Sequence, residues 1–458
     1  MNLATMEHIM QFRHPAHTRL IVKKLCLIVG VLYLSLNTCA CKKEIYTEET
    51  FGYEFSGRSV STTLRELGEY GFVAYEEGII YCTNHVVKIL DYNANKTKVL
   101  CSDPGCRHKD SSCSAWIGDD YSGGFAAYCD DCYYYVLSNN KTGYLELKSL
   151  SSDWDNQRTI YRFNHSNYSD GAKIYNIKTV YYIVGGTAII EAEYGNVYAA
   201  KTSSSLYEPV EYKTIIIVLD LKSERILDEI ENYSIHSVSG NTVVLSRVCW
   251  SEELVSKDSF EIDNTFDSYE DYMNWYYLNC SRYYETAVYD LLTQDFFVLL
   301  SEEFDRYIDT YGITQHISTY YVLGTDGDSL FISRQNNSNR GEDIYAINIR
   351  TSDIKKIYHI TNGAVLTVGI ADLNSLIDSH HLHFVVYDSE KKYGDVYILD
   401  LKTGIEKYIY KDVWNIEYRI LSETKDSFVV NTSDGQYFKI FKNDYYAGDF
   451  SKKKSFSF

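Results

Sequence analysis

The chain has 458 residues, of which 45% are hydrophobic, and it carries a formal net charge of −19 at pH 7. This hydrophobic content is typical of globular proteins and excludes global disorder, while the length allows one large domain or two smaller ones. Because an acidic surface repels phosphate groups, the charge excludes nucleic acid and anionic lipid headgroups as direct partners of the folded part.

The N-terminus has the pattern of an export signal. Basic residues precede the apolar run Leu25–Leu36, which suits a signal-peptide core and is too short for an ordinary membrane span. Two cysteines follow it, and here the chain resembles a bacterial lipoprotein precursor. That resemblance implies cleavage before a cysteine that carries a diacylglyceryl group. We favour Cys41, since the small residue Ala40 precedes it, over Cys39. Ordinary secretion is the alternative.

These features predict three regions and a location. Residues 1–40 are expected to be a lipoprotein signal peptide, 41–66 a tether, and 67–458 the folded domain. The acyl chains would hold the protein at the outer face of the bacterial cytoplasmic membrane. We expect a monomer at the cell surface.

A repeated phrase marks the folded part: an apolar run, then Asp or Asn, then a polar turn. It is clearest at Ile217–Ser223 and Tyr397–Gly404, with weaker copies ending at Asp91, Asp290 and Asn348. A strand, a turn and a second strand that recur along a chain are typical of a β-propeller. We interpret the Asp or Asn as a turn residue that accepts hydrogen bonds from backbone amides.

The repeat divides the chain into seven strand–turn–strand units, and it predicts an all-β fold with a single propeller of seven blades. The units begin near Tyr70, Gly124, Val180, Ile235, Tyr320, Val368 and Tyr418. In the second unit, Ser149 falls at the position of the Asp. Six or eight blades stay open, because the terminal segments could share one blade. Two stacked β-sandwiches are the alternative architecture.

A cysteine-rich segment lies in the first unit. Cys101, Cys106, His108 and Cys113 have the spacing C-x4-C-x-H-x4-C, and three thiols with one imidazole suit a tetrahedral zinc site. An exported location also permits disulfides, and we favour that interpretation over zinc, with redox chemistry third. Further cysteines available for pairing are Cys82, Cys129 and Cys132 nearby, and Cys249 with Cys280 in the fourth unit.

This segment resembles a loop of the uncharacterised TolB-like β-propeller lipoproteins of Gram-positive gut anaerobes. The resemblance rests on Cys101, Cys106, His108 and Cys113 together with the lipoprotein leader. It implies a TolB-like propeller on the cell surface and carries no activity with it. Cys129 and Cys132 depart from the pattern.

Two other groups of side chains are candidate metal sites. His381 and His383 lie two residues apart on a predicted strand that follows His380, so they point to the same face and would make a metal-binding pair. Histidines on strands are, however, usually surface residues. The acidic run Asp263, Asp267, Glu270 and Asp271 lacks the spacing of a calcium loop, and we read it as a solvated insertion with a short helix over 268–273. Asp326-Gly327-Asp328 and Asp434-Gly435 are read as turns.

The sequence contains no catalytic motif: a G-x-S-x-G elbow, a P-loop, a dinucleotide fingerprint and H-E-x-x-H are all absent. We therefore name no catalytic residue. The function that we expect is a binding module for a protein or glycan ligand. The alternatives are an exported enzyme that acts on polysaccharide with carboxylates at the central channel, and a structural component of the envelope.

Overall fold

The computed structural model describes most of residues 72–456, and the described residues belong to one compact unit. The gaps are 76–77, 84, 93, 111, 117–125, 130–131, 140–143, 152–155, 165–172, 185, 200–206, 210–212, 253–265, 267, 309–313, 337–340, 362, 366–375, 378–379, 388–393, 413–417 and 424–425. The predicted signal peptide, the tether and the lipidation candidates Cys39 and Cys41 lie outside the described residues. Neither described α-helix is long and apolar enough to span a membrane.

The strands form antiparallel sheets, and each sheet is built from consecutive strands of the chain. Sheet 1 contains β1 (Phe72–Tyr75), β2 (Gly78–Thr83), β3 (Val86–Asp91) and β4 (Lys96–Val99). Sheet 2 contains β5 (Ala126–Cys129), β6 (Cys132–Asn139), β7 (Tyr144–Ser151) and β8 (Gln157–Asn164). Sheet 3 contains β9 (Lys173–Val184), β10 (Thr187–Ala199), β11 (Tyr207–Pro209), β12 (Lys213–Asp220) and β13 (Arg225–Glu231).

The second half of the chain repeats this arrangement. Sheet 4 contains β14 (Ser234–Ser239), β15 (Thr242–Trp250), β16 (Arg282–Asp290) and β17 (Phe296–Glu303), with helix α1 (Tyr269–Asn279) inserted before β16. A separate hairpin, β18 (Asp305–Ile308) and β19 (Thr314–Ile317), follows. Sheet 5 contains β20 (Tyr321–Thr325), β21 (Ser329–Asn336), β22 (Gly341–Asn348) and β23 (Ile354–Ile360).

The last two sheets complete the described fold. Sheet 6 contains β24 (Gly363–Val365), β25 (Leu376–Ile377), β26 (His381–Tyr387), β27 (Gly394–Asp400) and β28 (Ile405–Asp412). Sheet 7 contains β29 (Tyr418–Glu423), β30 (Ser427–Thr432), β31 (Tyr437–Phe441) and β32 (Lys454–Phe456), with helix α2 (Lys442–Tyr446) and a 3₁₀ turn (Phe450–Lys452) between the last two strands. Each of the seven predicted units corresponds to one of these sheets.

Each sheet packs against the next one in sequence order through a hydrophobic layer. The layers between consecutive sheets include the pairs Ile80 with Tyr133, Leu147 with Ile190, Ile216 with Val243, Val244 with Tyr320, Phe331 with Phe384, and Val385 with Phe428. Val429 of sheet 7 packs with Ile79 and Leu90 of sheet 1. Sheets that pack face to face in this order, with the last against the first, form a β-propeller.

This packing explains the repeated apolar phrase. A central strand of a sheet that packs between two neighbouring sheets is buried on both faces. Its sequence therefore does not alternate between apolar and polar residues. In β12 all five residues from Ile215 to Leu219 are at most 1% exposed. Each sheet of a two-sheet sandwich would bury only one face. The sandwich alternative is therefore wrong for the described residues.

The residue that ends the phrase is a turn residue, as the sequence predicts. The Oδ1 atom of Asp220 accepts hydrogen bonds from the amides of Lys222 and Ser223, at 2.8 and 3.2 Å. Asn348 does the same with the amides of Arg350 and Thr351, both at 2.9 Å. The two predicted Asp-Gly turns are also confirmed, because Gly327 and Gly435 have φ values of 98° and 82° that favour glycine.

Candidate functional site

The cysteine-rich segment folds into a compact loop, residues 101–116, which we call the Cys loop. The Sγ atoms of Cys101, Cys106 and Cys113 and a ring nitrogen of His108 all lie within 4.8 Å of one another. Ligands about 2.3 Å from a tetrahedral zinc ion lie roughly 3.8 Å apart. The four side chains that the sequence spacing selects are thus brought together to within about 1 Å of the separation that one ion requires.

Two similar turns position the second and third cysteines. The carbonyl oxygens of Asp103 and Asp110 accept hydrogen bonds from the amides of Cys106 and Cys113, three residues later, at 3.2 and 3.1 Å. Each Asp carboxylate also accepts a hydrogen bond from a backbone amide two residues later in its own turn, at 2.8 and 3.0 Å. These Asp-x-x-Cys turns are formed by hydrogen bonds within the loop itself.

The histidine completes the cluster through an unusual backbone conformation. His108 has a φ of 54°, in the left-handed region that few non-glycine residues adopt. Its amide donates to Cys106 Sγ at 3.4 Å, and its Nδ1 atom lies 3.3 Å from Cys113 Sγ. These two contacts place the imidazole of His108 between the second and third cysteines.

The Cys loop is fixed on the hydrophobic layer between sheets 1 and 2. Cys113 and Ala115 are 4% and 0% exposed within that layer. Val87 of β3 donates to Ala115 O at 2.9 Å, and Leu100 donates to Val87 O at 3.0 Å. The indole of Trp116 lies 5.5 Å from the ring of His85. The cluster is therefore part of the packed body of the protein.

The thiols of the cluster differ in their pKa values. Burial raises the pKa of the Cys113 thiol to about 12. Desolvation also acts on Cys101, but hydrogen bonds from the Asp103 backbone and from Ser114, Cys113 and Cys106 outweigh it and lower the pKa of that thiol. Cys101 is thus the thiol of this pair that loses its proton more easily.

The disulfide interpretation of the cysteines stays a prediction. Seven cysteines have described side chains, and all of them are free thiols: Cys82, Cys101, Cys106, Cys113, Cys132, Cys249 and Cys280. The Asp-x-x-Cys turns place the cluster thiols around a common centre with the imidazole among them. Cys82 is buried in the core, where desolvation raises its pKa to about 12. Cys129 and Cys132 are partners in the hairpin of β5 and β6.

A second group of polar side chains lines a cavity of about 860 Å³ between sheets 6 and 7, which we call the 6–7 cavity. From sheet 6 the lining includes His380, His381, Asp400 and Lys407. From sheet 7 and α2 it includes Asp426, Phe441, Lys442, Asn443, Asp444 and Tyr446. The sequence did not mark this cavity.

The histidine pair predicted on β26 is only partly correct. His383 is fully buried in the core, and its Nε2 atom lies 3.1 Å from the hydroxyl of Tyr445. Desolvation lowers the pKa of His383 to about 3. His381 instead forms a group with His380 and Asp400, whose ligand atoms lie within 4.8 Å of one another. His383 therefore stabilises the core as a neutral imidazole, and the third member of the group is Asp400.

The carboxylate of this group is held in place by the repeat's own turn. Asp400 accepts hydrogen bonds from the amide of Lys402 at 2.9 Å and from the hydroxyl of Thr403 at 2.8 Å. Partial desolvation raises the pKa of Asp400, but these hydrogen bonds and the nearby histidines outweigh it and lower the pKa. A general acid needs a raised pKa, so Asp400 is suited to act as an anion and ligand.

The acidic insertion contains a longer helix than the one predicted over 268–273. Helix α1 begins after Ser268, whose Oγ accepts from the amide of Asp271 at 3.1 Å. That accepted hydrogen bond is an N-terminal cap, and the same hydroxyl also donates to the Asp271 carboxylate at 2.8 Å. Tyr272 and Tyr276 pack the helix against Trp250. Asp263 and Asp267 lie outside the described residues.

Comparisons with known proteins give no identity for this chain. No protein-family model matches the chain, and no curated protein is similar to it. Solved structures share its general shape at low similarity. The β-propeller domain of the Trilobed protease from Pyrococcus furiosus is 11% identical, with a TM-score of 0.38, and the match covers 87% of this chain and 100% of that one.

Two further structures have the same degree of likeness. An oligogalacturonate lyase from Vibrio parahaemolyticus is 9% identical with a TM-score of 0.43, covering 85% of this chain and 93% of the lyase. TolB from Acinetobacter baumannii is 13% identical with a TM-score of 0.29, covering 83% of this chain and 78% of TolB. The class of protein defined by the sheets themselves is an all-β propeller.

Proposed function

We propose that this chain is an exported lipoprotein whose propeller binds a protein or glycan ligand at the outer face of the cytoplasmic membrane. In this account residues 1–40 are the signal peptide, Cys41 carries the lipid, and 41–66 form the tether. Residues 67–458 form a single seven-bladed propeller that acts as a monomer. The seven packed sheets support the blade count, and the lipoprotein-like leader supports the location.

The observation that carries the binding function is the 6–7 cavity. Its volume of about 860 Å³ falls within the range of about 300 to 1,000 Å³ that is usual for ligand pockets. Its lining combines aromatic surface from Phe441 and Tyr446 with charged groups such as Lys407 and Asp426. This mixture suits a polar solute with an apolar face, such as a sugar ring or a peptide side chain.

We also propose that the Cys loop holds one structural zinc ion through Cys101, Cys106, His108 and Cys113. Four protein ligands close a tetrahedral site and leave no position for substrate, which is typical of structural zinc. The support is the convergence of the four ligand atoms within 4.8 Å and the burial of Cys113 at 4% exposure. The ion would fix the loop against sheets 1 and 2.

The binding function is tested by presenting the full-length protein, purified in detergent, to a glycan array and a peptide library. We expect saturable capture of a defined class of glycans or peptides. Absence of capture on both would contradict the proposal, and release of shortened sugars from a captured glycan would favour the polysaccharide-degrading enzyme instead.

The anchor is tested by incorporation of labelled palmitate in the native host. Wild-type protein and Cys39→Ala should be labelled, and Cys41→Ala should not. Labelling of the Cys41→Ala protein, or absence of labelling in wild type, would contradict the assignment of Cys41.

A further inference from the structure

We propose that His380, His381 and Asp400 form a second metal site in the 6–7 cavity. It would bind an exchangeable divalent ion of the zinc class and leave a coordination position open to a carboxylate of the ligand. This inference rests on the proposed binding function, since it names the chemistry of the same cavity. Two imidazoles and one carboxylate are ligands for zinc and related transition ions, and three protein ligands leave room for a fourth group.

The strand register brings the three ligands together. His381 and Asp400 are direct partners in the antiparallel pair β26–β27, and His380 precedes His381 in the adjoining turn. The rings of His380 and His381 have centroids 4.2 Å apart. With the three ligand atoms within 4.8 Å of one another, small side-chain rotations bring them to the separation of roughly 3 to 4 Å that a shared ion requires.

Two of the three ligands are already oriented. The ring of His381 stacks on Tyr446, with centroids 4.0 Å apart and an angle of 18° between the planes. The Asp400 carboxylate is held by the amide of Lys402 and the hydroxyl of Thr403. Such supporting contacts around metal ligands reduce the cost of ordering the ligands when the ion binds.

The other repeats of the same turn serve as internal comparisons. The partners of Asp220, Asp290 and Asn348 across the strand pair are Thr187, Thr242 and Ser329. The residue before each of these partners, equivalent to His380, accepts the same backbone hydrogen bond and is Gly186, Asn241 or Asp328. Among these four turns of the described chain, sheet 6 alone places two imidazoles beside the turn residue. Turn formation therefore does not require the histidines.

The charges around the cavity favour a carboxylate on the bound ion. The lining contains three carboxylates, Asp400, Asp426 and Asp444, and two lysines, Lys407 and Lys442. Asp444 also pairs with Lys452 at 2.7 Å. A divalent ion would therefore make the cavity net positive. A sugar acid or an acidic peptide side chain could then bind the metal through its carboxylate and the lysines through its other oxygens.

A Co²⁺ titration of the full-length protein, first stripped with a chelator, tests the site by absorption spectroscopy. We expect two ions per chain. One should give the intense near-ultraviolet bands of thiolate ligands, and the other only the weaker visible bands of nitrogen and oxygen ligands. Added acetate should shift the visible bands of the second ion alone, because the four-ligand site is closed.

His381→Ala and Asp400→Asn should each weaken the second ion at least tenfold and leave the thiolate bands unchanged. Asp400→Asn keeps the turn, since Asn348 fills the same position in sheet 5, so this variant guards against a folding defect. His359→Ala is the matched control, because His359 pairs with Asp343 at 2.6 Å without a second imidazole.

Binding of the thiolate-ligated ion alone, or a nitrogen- and oxygen-ligated ion that both substitutions leave unchanged, would overturn the inference. The proposed function fails separately. If captured glycans or peptides bind the cavity equally well with zinc and with chelator, the contact between the ion and a carboxylate of the ligand is wrong and the binding module stands. If two ions bind and the array and library capture nothing, the metal site stands and the binding module is wrong.

Discussion

His381 and Asp400 face each other across the antiparallel pair β26–β27, with an imidazole nitrogen and a carboxylate oxygen within 4.8 Å. Asp400 is at the same time the turn residue of its repeat, held by the amide of Lys402. One residue thus ends a strand, as its equivalents do in other sheets, and contributes to a polar group at the edge of a cavity. The carboxylate of Asp400 is thus part of the repeated turn, whereas the two histidines beside it occur in sheet 6 and not in the equivalent turns that end at Asp220, Asp290 and Asn348.

The contact between the first and last sheets predicts an energetic coupling. Ile79 and Val429 are both fully buried in the layer between sheets 1 and 7. Ile79→Ala should lower the free energy of unfolding by about 2 to 4 kcal/mol, and a double-mutant cycle with Val429→Ala should give a coupling of at least about 0.5 kcal/mol. Chemical denaturation measures both values. Strictly additive effects would mean that sheets 1 and 7 do not pack together. Ile405→Ala is the control, because this side chain is 55% exposed and its removal should change the free energy of unfolding much less.

The zinc proposal predicts a linked loss of metal and stability. Cys106→Ser removes one of four ligands, so we expect the tightly bound zinc measured by elemental analysis to be lost. The melting temperature should fall because the ion no longer fixes the Cys loop on sheets 1 and 2. Cys249→Ser, at a half-buried free thiol in sheet 4, should keep the zinc. Equal zinc contents in the two variants would exclude the Cys loop as the site.

An ion pair in sheet 4 predicts a pH dependence of stability. Arg247 Nε lies 2.6 Å from Glu285 Oε2, and Tyr233 also donates to this carboxylate. Desolvation raises the pKa of Glu285, but these partners outweigh it and hold the pKa below the ordinary value of 4.5. A depressed folded-state pKa means that the stabilisation is complete above pH 4.5 and is lost as the pH falls below that value.

Glu285→Gln should therefore lower the free energy of unfolding by about 1 kcal/mol at pH 7, and the difference from wild type should disappear in acid. Glu224→Gln removes an exposed pair with Arg158 at 3.7 Å and should have little effect at either pH. A Glu285→Gln difference that persists unchanged once the carboxyl is protonated would show that packing, not charge, is responsible.

The buried pair of His383 and Tyr445 predicts the effect of removing one hydroxyl. Both side chains are 0% exposed, and the Tyr445 hydroxyl lies 3.1 Å from His383 Nε2. Tyr445→Phe keeps the ring but leaves the buried imidazole nitrogen without this hydrogen bond, so we expect a loss of about 1 to 3 kcal/mol. Tyr321→Phe, at a ring that is 44% exposed, should cost much less. Equal losses measured by denaturation would contradict the role given to His383.

The fold could be predicted largely from the sequence, because central strands that are buried on both faces have uninterrupted apolar runs such as Ile215–Leu219. The exact register of the strands could not be predicted from the sequence. The sequence placed Ser149 at the turn position of the second repeat, whereas the strand ends at Ser151, which pairs with Cys132. The strand ends in Ser149-Leu150-Ser151, so either serine could be the turn residue, and only pairing with the neighbouring strand determines where the strand ends.

The candidate sites were predicted less completely, for physical reasons. The four ligands of the Cys loop are close in sequence, so their spacing was informative, whereas the two Asp-x-x-Cys turns that bring them together were recognised only in the structure. The group at His381 depends on a partner 19 positions later, Asp400. Alternation along a strand suggested His383 instead, but the inner face of that strand is core. The 6–7 cavity forms between two sheets and has no local sequence signature.

The central claim, that the ligand binds in the 6–7 cavity, is tested most directly by calorimetric titration of a captured glycan or peptide into a variant that fills the cavity. Asn443→Trp places an indole on α2 inside the lining, and Lys454→Trp places one on an exposed position of β32 in the same sheet. We expect Asn443→Trp to weaken binding at least tenfold and Lys454→Trp to bind like wild type. Equal affinities for wild type and both variants would contradict it.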